Sequence, residues 1–221
     1  MSQTVVITGA NRGIGLSLTK HYLISGCTVY ALCRHNSAEL ADSGAQVIEG
    51  VNMGEDAVVA RLKEKLAGVK VDLLINNAGI LRDDVLGQMN FDSLREQFEV
   101  NSLGPIRAVE ALKANLNTGA KVAMITSRMG SITDNTSGGR YGYRMSKAAL
   151  NIAAVSMAQD LRAAGVSVAI VHPGLVGTEM IGGHGDITPD QAAERIAQRI
   201  AELTLDTSGS FWHSNGELLP W

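Results

Sequence analysis

A short β-branched run, a glycine-rich turn and a helical pattern stand near the start of the sequence, and this succession limits the folds that the chain can adopt. The run TVVITG begins at Thr4 and ends on a glycine. In the stretch that follows, apolar residues recur at Ile14, Leu18 and Tyr22, which is the spacing of one helix face. The pattern predicts a strand joined by a tight turn to a helix, as in a parallel α/β sheet.

Three glycines, Gly9, Gly13 and Gly15, lie in this turn. Unpaired N–H groups and the helix dipole favour an anion at such a helix N-terminus. Gly9 permits the tight turn, Gly13 lets the backbone approach a pyrophosphate, and Gly15 lets the helix pack close to the sheet. The spacing G-x-x-x-G-x-G differs from the general dinucleotide fingerprint G-x-G-x-x-G, so the strand–turn–helix context carries the prediction of a nucleotide site.

Further strand-like runs alternate with helical stretches, and they read TVYAL, QVIEGV, VDLLINNAG, KVAMITS, SVAIVHPG and SGSFWH. We predict a long helix from Phe91 to Leu116 and a strand KVAMITS that ends at Ser127. The alternation predicts one α/β domain over residues 1–221, with three layers, about seven parallel strands and helices on both faces. The carboxyl ends of such strands share one edge of the sheet.

Composition limits the possible partners. The 221 residues are 45% hydrophobic, enough for one sizeable core, and the net charge of −3 offers no basic surface for nucleic acid or anionic lipid. No stretch reaches the roughly 18 apolar residues of a membrane span. The spacing of the five histidines suggests no metal site. We expect a cytoplasmic protein with neither a nucleic-acid nor a membrane partner.

The second predicted strand ends at Arg34, about 20 residues beyond the glycine turn. In this layout an acidic residue accepts the ribose hydroxyl of NAD, whereas an arginine accommodates the additional phosphate of NADP. No carboxylate stands at the strand end, and Arg12 lies inside the turn, so the two guanidinium groups could converge on one phosphate. The alternative is that both are solvated surface arginines.

Asparagines mark two other places. Asn76 and Asn77 end the fourth strand, where ligands bind in open parallel sheets, although both could equally be turn residues that bond their own backbone. Asn101 is predicted in the middle of a helix, a position that asparagine disfavours. Pro105 cannot donate to the carbonyl of Asn101, which is then free to hold a water.

A tyrosine and a lysine four residues apart, Tyr143 and Lys147, begin an apolar helical run. On a helix they share a face, and a nearby ammonium favours the anion of a phenol that otherwise keeps its proton until pH ~10. Tyr141 has Met145 at the same spacing and therefore has no such partner. A tyrosine that only packs at a helix start is the alternative.

These features together resemble the short-chain dehydrogenase/reductase family over essentially the full length. The resemblance rests on TGANRGIG at 8–15, NNAG at 76–79, Asn101, Ser127, Tyr143-x-x-x-Lys147 and Pro173-Gly174, in the order of the family. ANRGIG, LCR and the tail ELLPW are similar to the carbonyl-reductase-like and C-factor-like members, which use NADPH. The resemblance implies a Rossmann fold with NADP(H) as cofactor.

Roles for individual residues follow from the resemblance. It implies that Tyr143 protonates a substrate carbonyl oxygen, that Lys147 lowers the pKa of Tyr143 and binds the nicotinamide ribose, that Ser127 bonds the same oxygen, and that Asn101 holds a water linking Lys147 to solvent. The implied cofactor contacts are Gly9, Asn11, Arg12, Gly13, Ile14, Arg34, Asn52, Asn77, Ala78, Gly79, Tyr143, Lys147, Pro173, Gly174, Val176 and Thr178.

Three departures from the family pattern qualify these roles. Ser127 lies sixteen residues before Tyr143, more than the usual dozen or so, and Ser131 is the less favoured alternative. Asn52 stands where family members usually carry an aspartate facing the adenine. The substrate loop, about residues 175–189, is short and glycine-rich, which suggests an open pocket and a broad substrate range.

The expected function is the NADPH-dependent reduction of a small aldehyde, ketone or quinone. An NADP-dependent alcohol dehydrogenase working in the oxidative direction is the alternative within enzymes, and an NADP(H)-binding signalling or sensor protein is the alternative outside them. The helix after Tyr143 is apolar beyond one stripe, so part of it can pack on a second subunit. Family resemblance also favours a homodimer.

Overall fold

A computed structural model describes residues 2–221. Seven strands form one sheet, and their bounds are Thr4–Thr8 (β1), Thr28–Leu32 (β2), Gln46–Ile48 (β3), Val71–Asn76 (β4), Leu116–Ile125 (β5), Ser167–His172 (β6) and Phe211–His213 (β7). The helices are Gly13–Ile24 (α1), Ala38–Ala41 (α2), Ala57–Lys65 (α3), Phe91–Phe98 (α4), Gly104–Leu112 (α5), Tyr141–Arg162 (α6) and Pro189–Glu202 (α7).

The sheet is parallel throughout, in the order β3-β2-β1-β4-β5-β6-β7. This confirms the predicted doubly wound Rossmann fold. The strand order reverses between β1 and β4, and open α/β sheets bind ligands in the crevice at the carboxyl ends of the strands where this reversal occurs. The first glycine turn follows β1 and therefore lies at this crevice.

Two apolar cores, one on each face of the sheet, hold the helices. Leu18 of α1 and Ile196 of α7 are fully buried on one face, whereas Leu62 of α3, Leu112 of α5 and Leu150 of α6 are buried on the other. Because a parallel sheet is covered on both faces, its central strands are continuous apolar runs. The structure therefore has the three layers that the sequence predicts.

The predicted long helix from Phe91 to Leu116 is not continuous α-helix. A π-helical turn, Glu99–Leu103, separates α4 from α5, and a 3₁₀ turn ends the helical stretch at Asn115. Pro105 lies in the first turn of α5, directly after the π-helical turn. Strand β5 also differs from the prediction, because it begins at Leu116 and ends at Ile125, so Ser127 lies beyond it.

The tail end of the chain follows the predictions. Thr188 and Gln191 form a capping box at the start of α7, with Pro189 in its first turn. Strand β7 completes the edge of the sheet. Among residues 2–221, no helix is both long and apolar enough to span a lipid bilayer.

Candidate active site

A cavity of about 810 Å³ opens at the carboxyl edge of the sheet. Its wall is built by the segments after β1 to β6 together with the start of α6. Nearly all of the predicted site residues line it: Gly9, Asn11, Arg12, Gly13, Ile14, Arg34, Asn52, Asn77, Ala78, Gly79, Ser127, Tyr143, Lys147, Pro173, Gly174, Val176 and Thr178. Residues far apart in sequence therefore share one cavity.

The glycine turn is held by the segment after β4. The side-chain amide of Asn77 donates to the carbonyl oxygens of Thr8 and Gly9, each at 3.1 Å, and the backbone N–H groups of Asn77 and Ala78 donate to Thr8 Oγ1 at 3.0 Å. Asn77 is therefore a structural bridge between β1 and β4. The alternative of a turn residue that bonds its own backbone does not describe Asn77, because its amide bonds a segment 68 and 69 residues away.

The turn has the shape of an anion cradle. Gly9 has a φ of +66°, and a Cβ there would lie 2.8 Å from the Cα of Ala78, so only glycine fits. Arg12 precedes α1 in extended conformation and makes no side-chain hydrogen bond to the helix, so the first N–H groups of α1 have no side-chain cap. Together these features fit the pyrophosphate of a dinucleotide.

The two arginines predicted to meet on one phosphate do not share a partner. Arg12 Nη1 donates to Glu179 Oε2 at 2.7 Å, and both side chains are largely exposed. Arg34 is exposed at the end of β2, and within residues 2–221 its guanidinium makes no hydrogen bond or ion pair. A carboxylate of the loop after β6 holds Arg12 in this structure, and Arg34 keeps its donors free, so the convergence of the pair on one phosphate stays a prediction.

Asn52 also lines the cavity, but its side chain is partly engaged. Its Oδ1 accepts from the N–H of Gly54 at 3.1 Å, and its amide donates to Glu55 Oε1 at 2.7 Å. Both bonds are local and fix the loop after β3.

Ser127, Tyr143 and Lys147 lie together on the cavity wall. Ser127 caps a 3₁₀ turn, Arg128–Gly130, and its Oγ accepts from the N–H of Met129 at 3.1 Å. Its hydroxyl is also close enough to bond the phenol of Tyr143 and favour the phenolate. Ser131 is buried outside the cavity lining, where its Oγ accepts from Asp134 N, so the geometry favours Ser127.

The pKa of Tyr143 differs in direction from the prediction. Burial raises it, and the influences that oppose the rise are the hydrogen bond from Ser127 and the positive charge of Arg140. Lys147 Nζ lies 5.8 Å from the centre of the tyrosine ring, one helical turn away as predicted. The predicted lowering by Lys147 is therefore wrong for the protein alone, because loss of hydration outweighs the charges near the phenol.

Lys147 is only 4% exposed, and its Nζ donates to the carbonyl oxygen of Ile125 at 2.9 Å. Burial disfavours the ammonium and lowers the pKa of Lys147 to about 8. A lysine in this state can gain or lose a proton close to neutral pH.

Asn101 is fully buried and does not line the cavity. Its side chain accepts from the N–H of Ile80 and donates to the carbonyl of Ile80, each at 2.8 Å, and it also donates to Ser146 Oγ at 3.0 Å. A Cβ on Gly79 would lie 3.2 Å from Asn101 Oδ1 and 3.7 Å from Lys147 Nζ, so both side chains border Gly79. The π-helical turn around Asn101 is a rare element that is frequent at functional sites.

A buried carboxylate fixes the start of α6, a feature that sequence reasoning missed. Asp84 Oδ2 accepts from the N–H of Gly142 at 2.9 Å and from the amide of Gln97 at 3.4 Å. A Cβ on Gly142 would lie 2.5 Å from Gln97 Nε2, so a larger residue beside Tyr143 would displace this amide. An acid at a helix N-terminus also complements the dipole.

Several other cavity residues were not predicted, including Arg128, Met129, Arg140, His172 and Met180. Three of these, Arg128, Arg140 and His172, adjoin a predicted residue or precede α6 directly, so the signal available for them was their position beside Ser127, Pro173 and the Tyr143 helix. Burial lowers the pKa of His172 to about 3, with His213, Arg128 and Lys147 adding to the effect, so its imidazole is neutral.

The loop after β6 forms one side of the cavity. Leu175 to Ile181 line it, and Val176 pairs with Ile187 in a short β-bridge. Within residues 2–221, no group of three or more His, Cys, Asp or Glu side chains is arranged to hold a metal ion.

Comparison with known proteins agrees with the fold and the site. The family model for short chain dehydrogenase matches residues 3–188. The chain therefore belongs to the short-chain dehydrogenase family of oxidoreductases, which confirms the resemblance seen in the sequence.

Two curated relatives are similar over much of the chain. The 1-hydroxy-2-glutathionyl-2-methyl-3-butene dehydrogenase of Rhodococcus sp. (strain AD45) is 44% identical over 226 residues, covering 99% of each chain. The C-signal of Myxococcus xanthus is 42% identical over 154 residues, which cover 68% of this chain and 93% of that protein.

Among solved structures, the NADPH-bound carbonyl reductase from chicken fatty liver is 28% identical with a TM-score of 0.88, covering 100% of this chain and 99% of that one. The carbonyl reductase Sniffer of D. melanogaster is also 28% identical, with a TM-score of 0.86 and full coverage of both chains. The seven-stranded sheet described above is thus shared with carbonyl reductases.

Proposed function

We propose that this protein is an NADPH-dependent reductase of a small carbonyl compound, with Tyr143 as the proton donor. The observation that carries the proposal is that Ser127, Tyr143 and Lys147 line the same cavity as the glycine turn. A reductase needs a cofactor cradle and an acid side by side, because the carbonyl receives its hydride and its proton at neighbouring atoms.

The cavity wall supplies groups for each part of the cofactor. The turn from Gly9 to Ile14 would hold the pyrophosphate, the adenosine side would contact Asn52, Asn77, Ala78 and Gly79, and Pro173 to Thr178 would contact the nicotinamide amide. When bound, the nicotinamide supplies the hydride, which is chemistry that no side chain can provide.

Tyr143 acts on the substrate oxygen. It donates its phenolic proton to that oxygen as negative charge develops there, while Ser127 donates a hydrogen bond to the same atom. The raised pKa of Tyr143 keeps the phenol protonated before the reaction, as a general acid requires. The Ser127 contact then stabilises the phenolate that remains.

Lys147 returns a proton to this site. Its ammonium would bond the nicotinamide ribose; it lies one turn from Tyr143, and its pKa of about 8 lets it release a proton readily. The main-chain carbonyl of Asn101 would hold a water between Lys147 and solvent. The side chains of Asn101 and Lys147 both border Gly79, which supports this arrangement.

We expect catalysis to fall as pH rises through about 8, because Lys147 then loses the charge that the reaction uses. The free energy of unfolding should not fall in this range. Between pH 8 and about 10.4 an unfolded lysine binds more protons than Lys147 does, so this group makes folding more favourable as pH rises. The measurement is kcat/KM for an aldehyde against pH. The side chain of Lys147→Arg stays charged in this range. If kcat/KM of this variant still falls above about pH 8, another group causes the fall.

Arg34 selects NADPH over NADH in this proposal, because its guanidinium has free donors at the end of β2. We expect Arg34→Ala to weaken NADPH binding by about tenfold or more, the loss of one charge-assisted contact, with little effect on NADH. Fluorescence titration with each cofactor measures this. Arg95→Ala, which removes an equally charged side chain from α4 outside the cavity, should change neither affinity. If Arg34→Ala weakens the binding of both cofactors equally, Arg34 does not contact the additional phosphate of NADPH.

The experiment that tests the function is the loss of NADPH absorbance over a panel of aldehydes, ketones, quinones and diketones, repeated with NADH. Turnover of any carbonyl with NADPH supports the reductase and its cofactor together. If NADPH binds but no carbonyl is reduced, the reductase proposal fails.

Two alternatives have specific support. The Rhodococcus relative is named a dehydrogenase, which favours the same site working in the oxidative direction on an alcohol. The assay for this is NADP reduction over a panel of alcohols.

The Myxococcus relative is named a signal, which favours a binding role. A protein that only binds has no use for the tyrosine proton donor, and Tyr143→Phe would leave that role intact.

We also propose that two copies of the chain pair through α4 and α6. Phe91 and Phe98, seven residues apart on α4, are 64% and 40% exposed, while Met145 and Ile152, seven apart on the adjacent α6, are 56% and 66% exposed. Such an apolar surface suits a symmetric dimer. Light scattering after gel filtration measures the mass, which Ile152→Glu should halve and Ile24→Glu, on the exposed side of α1, should not.

A further inference from the structure

Two arginines line the cavity beside the proposed catalytic side chains and have no part in the proposed cofactor contacts. Arg128 directly follows Ser127, and Arg140 lies three residues before Tyr143. Their side chains are 44% and 43% exposed, so each guanidinium is reachable from solvent at the cavity wall. This part of the cavity therefore carries positive charge close to the position of the substrate carbonyl.

Arg140 is held in an unusual backbone conformation. Its φ of 50° and ψ of 47° lie in the left-handed region, and within residues 2–221 it is the one non-glycine residue with positive φ. Such a conformation is strained and persists where the surroundings impose it, often at functional sites. Here the N–H of Arg140 donates to the carbonyl of Asp84 at 3.2 Å, which ties it to the segment that also fixes α6.

The guanidinium of Arg140 is oriented but not saturated. Its Nε donates to Asp83 Oδ1 at 2.8 Å, whereas Nη1 contacts only Met129 Sδ at 4.0 Å among the described residues. The charge also acts at the reaction centre, because Arg140 lowers the pKa of Tyr143 against the effect of burial. A fixed guanidinium with free Nη donors is suited to a planar carboxylate.

Arg128 has less capacity for a ligand. Its Nε pairs with Asp134 at 2.7 Å and its Nη2 with Glu217 at 3.4 Å. Arg128 therefore contributes positive potential at the same wall, and Arg140 offers the direct contact.

We propose that Arg140 binds a carboxylate of the substrate, so that the carbonyl compounds preferred by this site are anionic. The proposal rests on the reductase function and names its substrate class. The carboxylate would pair with the Nη donors of Arg140, while the carbonyl oxygen of the same molecule reaches Ser127 and Tyr143. A neutral analogue would leave the guanidinium without this partner.

The test compares 4-carboxybenzaldehyde with its neutral analogue methyl 4-formylbenzoate, using NADPH and the holoenzyme. The readout is the ratio of the two kcat/KM values, because any change in the pKa of Tyr143 caused by losing Arg140 affects both substrates alike. We expect wild type to prefer the acid. Arg140→Gln and Arg140→Gly should lower the ratio about tenfold, the size of one charge-assisted contact.

The variants separate charge from backbone strain. Glycine adopts the left-handed conformation without cost, so Arg140→Gly keeps the backbone while removing the guanidinium. Arg140→Lys keeps the charge without the planar fork and should retain part of the preference. Arg95→Gln, on α4 outside the cavity, should leave the ratio as in wild type. Added salt should reduce the preference of wild type for the acid.

A wild-type enzyme without preference for the acid, or a ratio that survives in both Arg140→Gln and Arg140→Gly, overturns the proposal while leaving the reductase intact. If neither aldehyde is reduced, the wider carbonyl panel decides the reductase function, and binding decides the carboxylate site. Calorimetry of 4-carboxybenzyl alcohol and methyl 4-(hydroxymethyl)benzoate with the NADP-loaded protein then applies. Tighter binding of the acid that is lost in Arg140→Gly supports the site, and equal binding of both compounds rejects it.

Discussion

Replacing Tyr143 by phenylalanine is expected to lower kcat for carbonyl reduction by about 10³-fold, within the range that a positioned general acid contributes. The change removes one hydroxyl and keeps the ring, which packs one turn from Lys147 with Nζ 5.8 Å from its centre. Cofactor affinity and the melting temperature should therefore stay near their wild-type values. Steady-state kinetics with NADPH, together with a fluorescence titration of the cofactor, measure both expectations.

Tyr141→Phe provides the matched control. Tyr141 lies on the same helix two residues earlier, has no lysine at the next turn and does not line the cavity. This variant should keep wild-type activity. Turnover by Tyr143→Phe within about tenfold of wild type would show that another group supplies the proton, since losing a general acid costs more than this.

The sequence predicted the fold because local patterns and long-range packing agree. Short apolar runs and helical patterns alternate along the chain, and a parallel sheet with helices on both faces is the structure that buries all of them. The cavity could be predicted for the same reason. Strand ends carrying Gly9, Asn77, Ser127 and Pro173 must share one edge once the strands are parallel.

What the sequence could not predict depends on contacts between distant segments. The π-helical turn around Asn101 coincides with its hydrogen bonds to Ile80 and Ser146, neither of which is adjacent to it in sequence. Arg12 was predicted to face a phosphate, but Glu179, 167 residues away, pairs with it in the structure. The pKa of Tyr143 likewise depends on how deeply the packed protein buries the phenol, which residue spacing does not reveal.

The glycine turn provides the second prediction of large effect. Gly9→Ala should lower the free energy of unfolding by about 3 kcal/mol, because an alanine with positive φ is strained and its Cβ also crowds a packed neighbour. Gly9 has a φ of +66°, and the added Cβ would lie 2.8 Å from the Cα of Ala78, a backbone atom that cannot move aside as a side chain can. We expect cofactor binding to be lost as well, since Gly9 and Ala78 both line the cavity.

Gly68→Ala separates the two causes. Gly68 has a φ of +75°, but a Cβ there meets nothing within 4 Å, so this variant carries the backbone strain without the collision. It should be destabilised by about 1 kcal/mol and should bind cofactor normally. Urea denaturation measures both free energies. If the two variants are equally destabilised but only Gly9→Ala loses cofactor binding, Gly9 is needed because it lets the cofactor lie close to the backbone. If Gly9→Ala is much the less stable variant, the collision with Ala78 dominates, and the glycine is first a requirement for joining β1 to β4.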